Sequence, residues 1–163
     1  MSAETTEIER RIEAMLAPSG DVAYGRVREA ALQYLLQHAD EAHPRLLARA
    51  DRAEPSVLVL LALARFGQPE SVPLLERALA NASDPTTVIA AQALAEHPAP
   101  AALEALERAL AAPRDQVVAS AADGLVLRGD TAACPALAAA LSHHDAEVRE
   151  RVREAMTALG CQP

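Results

Sequence analysis

The chain has 163 residues, a formal charge of −8 and 51% hydrophobic but only 2% aromatic residues, with 39 Ala, 22 Leu and 15 Arg but no Lys. Ala and Leu favour helices while the residues that suit pleated sheets are scarce, which excludes an all-β fold, and the apolar content excludes wholesale disorder. The acidic balance lacks the basic face that a polyanion needs, so nucleic acid is excluded as a partner.

The first element falls within residues 1–20, where Ile8, Ile12 and Leu16 share one helical face and Glu4, Glu7, Arg11 and Glu13 the other. This pattern predicts an N-terminal cap helix. Residues 21–144 then carry a repeat of 31 residues, seen in Ala31-Leu32, Ala62-Leu63, Ala93-Leu94 and Gly124-Leu125 and continued by Ala155-Met156. Each unit reads as two helices. Pro55 and Pro85 stand near the start of first helices, and Pro73 and Pro135 near the start of second ones, where a missing N–H costs little. Gly67, Gly129 and Gly160 share one register position and suit a left-handed helix end.

Two units depart from this pattern. In the first, Leu36 stands where glycine is expected and Pro44 comes two positions late, which predicts a longer loop. In the third, Pro98 stops the helix without a left-handed residue. Second helices bury the sets Val72, Leu75, Leu79; Leu103, Leu106, Leu110; and Cys134, Leu137, Leu141. The last element, in residues 145–163, is a closing half-repeat that Asp145 caps, with Val148, Val152, Ala155, Met156 and Leu159 as its apolar stripe. Two caps around four two-helix units predict about ten helices and no sheet, in one domain over residues 1–163 that reads as complete.

Segments such as Asp145-Ala-Glu-Val-Arg-Glu-Arg-Val-Arg-Glu-Ala-Met-Thr-Ala-Leu-Gly160 and Gly67-Gln-Pro-Glu-Ser-Val-Pro-Leu-Leu-Glu-Arg-Ala-Leu79 resemble the short HEAT repeats of the phycobilin-lyase type. The resemblance covers about residues 21–160. It implies an all-α, right-handed α–α superhelix with first helices on the convex side and second helices on the concave side. Stacking then joins apolar stripes that no unit can bury alone.

The sequence offers little chemistry. Some HEAT-like proteins bind iron through repeated His-Glu pairs, but this chain has no such dipeptide. His38, His43, His97, His143 and His144 lie at dissimilar repeat positions and read as solvated loop residues, so neither metal nor cofactor is expected. His143-His144-Asp145 reads as a turn into the last helix. A bilin would need more aromatic surface than Tyr24, Tyr34 and Phe66 provide. Cys134 reads as core packing and Cys161 as exposed, both reduced. The acidic N-terminus and the short longest apolar run, Val57 to Ala64, predict a cytoplasmic protein off the membrane, and Arg without Lys fits a GC-rich bacterial genome.

Two surfaces are candidates for binding another protein. On the concave side, Leu74, Arg77, Glu104 and Arg108 form a strip, with Glu76 and Glu107 one unit apart, as are Arg77 and Arg108. On the convex side, Val57, Leu60 and Leu61 face away from an inward stripe of Leu58, Val59, Ala62, Leu63 and Phe66, and Val88 extends them into a patch suited to a partner or to self-association. The expected function is a non-enzymatic protein-protein interaction module or scaffold. The alternatives are an acidic inhibitor or immunity-type protein covering a basic partner, and a lyase-like accessory enzyme.

Overall fold

The computed structural model describes residues 3–17, 22–52, 56–81 and 83–161. Among these residues lie ten α-helices and no strand: α1 (Ala3–Leu16), α2 (Val22–Gln37), α3 (Ala39–Arg52), α4 (Val57–Phe66), α5 (Val72–Asn81), α6 (Asp84–Glu96), α7 (Pro100–Ala109), α8 (Asp115–Arg128), α9 (Cys134–Ala140) and α10 (Ala146–Leu159). None of these is long and apolar enough to cross a membrane. Pro55 and the boundary between residues 20 and 21 lie outside the described residues, as does the side chain of Tyr24.

Capping chemistry sets the ends of α4 and α10 and the C-terminal end of α8. Ser56 accepts the Val59 N–H with its side chain, and Asp145 accepts the Glu147 and Val148 N–H groups at 2.9 and 3.0 Å. Gly67, Gly129 and Gly160 hold φ of 65°, 72° and 69°, a region costly for residues with a Cβ. At the equivalent place in the third repeat, His97 is extended (φ −72°) ahead of Pro98, so α6 stops without a left-handed residue.

The even-numbered helices α4, α6, α8 and α10 pack successively, with α2 against α4, while α3, α5 and α7 form a second row. Helix α1 lies over α2 and reaches α3 and α4. Small residues set the spacing of the first row. Ala31, Ala62, Ala93, Gly124 and Ala155 are buried at matching positions, and a Cβ on Gly124 would come within 3.1 Å of both the Ala91 carbonyl oxygen and a Leu106 methyl. Leu35, Leu63, Leu94, Leu125 and, from the second row, Leu75, Leu106 and Leu137 fill the core between the rows.

Three expectations are corrected. The first loop is not longer: α2 runs to Gln37 and only His38 separates it from α3, because no glycine or proline halts the chain there. The His38 carbonyl takes the Glu41 and Ala42 N–H groups to start α3, and Pro44 sits inside that helix. Cys134 and Cys161 are not two reduced thiols. They form a disulfide with Cα atoms 5.5 Å apart, because the left-handed Gly160 and the Cys161 N–H to Met156 C=O bond turn the chain back onto the start of α9. The histidines, finally, are not all solvated, since His43 and His97 are buried.

Candidate functional site

On the second-row face, the register of α5 and α7 brings Glu76, Glu104 and Arg108 together. Arg108 donates from Nε and Nη2 to the two Glu76 carboxylate oxygens at 2.8 and 3.1 Å, across 32 residues, and its Nη1 lies 3.7 Å from Glu104. The Glu76 bond raises the pKa of the Arg108 guanidinium further, against a small opposing effect of burial. Arg77, the residue after Glu76 on α5, is exposed. Leu74 corrects the expectation of a protruding anchor: only 5% of it is exposed, because α3 packs beside α5 and covers it. It instead lines a groove with Leu47, Ala48, Pro44 and Pro73, with Glu70 and Arg77 at its edges.

The first-row face is less apolar than the sequence implied. Val57 and Val88 are 37% and 48% exposed, but Leu61 is half-buried and Leu60 fully buried. Leu60 is therefore removed from the patch. The reason is that α4 lies between neighbours in its row, so its apolar face is wider than one stripe. Ala91 and Ala122 at the matching positions of α6 and α8 are buried too, whereas the charged Glu29 and Arg153 belong to helices at the ends. Leu127, 56% exposed, was missed, although Arg65 and Glu96 at matching positions mark it as the exception.

Polar groups that the repeat pattern did not reveal link each repeat to the next. His43 Nε2 lies 2.7 Å from Ser71 Oγ. That is the reach of a nucleophile and its base, but both residues are closed to solvent and substrate, so the bond serves packing. His97 takes the Ala99 N–H on Nδ1 at 3.2 Å, which leaves Nε2–H to donate to the Gln68 carbonyl at 3.2 Å. Burial lowers the pKa of both rings; nearby Glu70 partly offsets this at His43 and the Gln68 bond at His97. Arg128 donates to the carbonyls of Leu94, Ala95, His97 and Ala99, with the shortest bond 2.7 Å to His97. One planar guanidinium thus satisfies the turn between α6 and α7 that lacks a glycine.

A third cluster forms where the turn before α10 meets the start of α8. His143 Nε2 and His144 Nε2 lie 3.7 and 3.4 Å from the same Asp115 oxygen, with ring centroids 4.3 Å apart. The sequence placed the two histidines in a turn and Asp145 as its cap, as observed, but gave no sign of Asp115. Nearby, Asp115, Asp123, Asp145 and Glu147 surround a polar groove between α8 and α10, facing Arg151.

A family profile described as HEAT repeats matches residues 56–126, from the start of α4 into the last turn of α8. No curated protein matches the chain.

Proposed function

We propose that this chain, a HEAT-like repeat protein with an all-α fold, is a non-enzymatic module that binds another protein along the face of α3, α5 and α7. Proteins built of such repeats generally serve as interaction or scaffold modules. One observation carries the choice of face. The groove of Leu47, Pro73 and Leu74 is edged by Glu70 and Arg77, and α5 carries Glu76 of the Arg108 and Glu104 strip directly beside Arg77, so an apolar floor and charged groups share this face. Apolar contact in the middle with charged groups at the edge is the anatomy of a protein interface. The partner is a protein segment narrow enough to enter the groove. In this reading residues 1–20 and 145–163 are caps, residues 21–144 are four two-helix repeats, and the whole is one right-handed solenoid with the α3–α5–α7 face concave.

Charge reversal at exposed positions tests it without disturbing the core. Arg77→Glu with Arg108→Glu is expected to abolish capture of the partner identified with the unaltered chain, while Val57→Glu with Val88→Glu leaves capture intact. The opposite pattern moves the interface, or a self-association contact, to the first-row face. The four carboxylates between α8 and α10 support a second reading, an acidic inhibitor-type contact with a basic partner. Capture that weakens steeply with salt favours that reading. The Cys134–Cys161 disulfide weighs for an oxidising compartment and against the cytoplasm expected from the sequence.

A further inference from the structure

We infer that Asp115, His143 and His144 form a binding site for a divalent cation of the zinc class. Three ligand groups of the types that zinc prefers, two imidazoles and a carboxylate, converge from two separate elements, with their ligand atoms all within 4.8 Å of one another. The spacing fits a shared ion better than it fits direct bonding. The two imidazole-to-carboxylate distances are 3.4 and 3.7 Å, long for hydrogen bonds. Ligands bound tetrahedrally to zinc at about 2.0–2.1 Å stand roughly 3.3–3.4 Å apart, so the two carboxylate-to-imidazole edges are already close to that spacing, and the third, within 4.8 Å, closes as the ion seats.

The surroundings hold the ligands in place. Asp115 is fixed in the first turn of α8, and Arg149 pins the turn by donating from Nη1 to the His143 and His144 carbonyls at 2.7 and 2.8 Å. His143 has only 10% of its side chain exposed, whereas His144 and Asp115 are open at 73% and 51%. Solvent therefore completes the coordination. One cost is specific. The Asp145 N–H donates to His143 Nδ1 at 3.2 Å, which places the ring proton on Nε2. Binding through Nε2 needs the other tautomer, with the proton on Nδ1 and the Asp145 bond given up. The nearby Arg149 charge adds a second cost, and both point to micromolar rather than tighter affinity.

The site lies apart from the α3–α5 groove, so the two proposals fail independently. Titration of the full chain with Zn²⁺, followed by calorimetry, is expected to show one equivalent bound. Asp115→Asn and His144→Gln should each weaken it by at least about 10-fold, the lower limit for even an outer-shell partner, while His38→Gln has no effect. Circular dichroism confirms the fold of each variant. The ¹⁵N shifts of His143 supply a signature that loose surface binding lacks: Zn²⁺ moves the ring proton from Nε2 to Nδ1. Equal affinity in the parent and both variants, or an unmoved His143 proton at saturation, overturns the site.

Discussion

The two rows of helices come from one alternating chain, yet they close in different ways. Along α4, α6, α8 and α10 the backbones approach over Ala62, Ala93, Gly124 and Ala155, and the one groove described in this row, between α8 and α10, is polar and lined by carboxylates. Along α3, α5, α7 and α9 the helices stand apart, leaving one groove over Leu47 and Leu74 and another between α7 and α9 over Leu110, Ala136 and Ala140. Ionic contacts such as Glu76 to Arg108 bridge that second row. The first row thus supplies stability and the second supplies shape. Grooves and exposed charge can be altered with little energetic cost, whereas close backbone contact cannot.

The sharpest way to break this contrast is at Leu60. Leu60→Ala in the first row should lower the unfolding free energy by about 2–5 kcal/mol in urea titrations, as truncation of a fully buried Leu does. A loss below about 1 kcal/mol would return Leu60 to the surface patch. Reduction of Cys134–Cys161, which ties the two rows across a separation of 27 residues, should cost about 3.5 kcal/mol on the chain-entropy argument. The urea midpoint with and without a phosphine reductant measures it. An unchanged midpoint would mean that α9 and α10 hold together without the bond.

Acid comes next in size. His43 and His97 stay neutral in the folded protein below the ordinary histidine pKa of 6.5, because burial penalises their charged forms. The unfolded chain then takes up protons first, so this contribution is complete above pH 6.5 and is lost as pH falls below it. Urea midpoints just below pH 6.5 should therefore decline, and a midpoint that stays flat there would show the rings to be solvated. The smallest effect belongs to the second row. Arg108→Ala should shift stability by no more than about 1 kcal/mol, since its ion pairs are exposed and screened. A larger loss would make the bridge to Glu76 structural and erase the contrast between the rows.

Much of the fold was legible because the repeat is short and regular. The Ala-Leu step located the first row, and the shared Gly67, Gly129 and Gly160 located its helix ends. The same register set Glu76 level with Glu107 and Arg77 with Arg108, whereas the observed pair joins Glu76 to Arg108, one position off that ladder. Register also misled where a position depends on its neighbours. An outward Leu60 would suit the terminal helices, where Glu29 and Arg153 stand at the matching positions, but the interior equivalents Ala91 and Ala122 are both buried. Contacts outside the period could not be read from it. Asp115 meets His143 and His144 through the geometry of a turn, and Cys161 reaches Cys134 only because the chain reverses after Gly160. Leu36 and Pro44 promised a loop by analogy, but a helix stops only when something stops it.

The disulfide also makes the two ends of the stack kinetically unequal. A linear array held by nearest-neighbour contacts can lose its end members first. At the C-terminal end, α10 cannot leave without dragging α9, because a covalent bond joins them. At the other end, α1 is held by the buried Ile8 and Ile12 and by ion pairs from Arg45 and Arg49 to Glu9 and Glu13, contacts that can each break separately. Unravelling therefore runs in one direction, starting at α1 and reaching the Cys134–Cys161 clasp last.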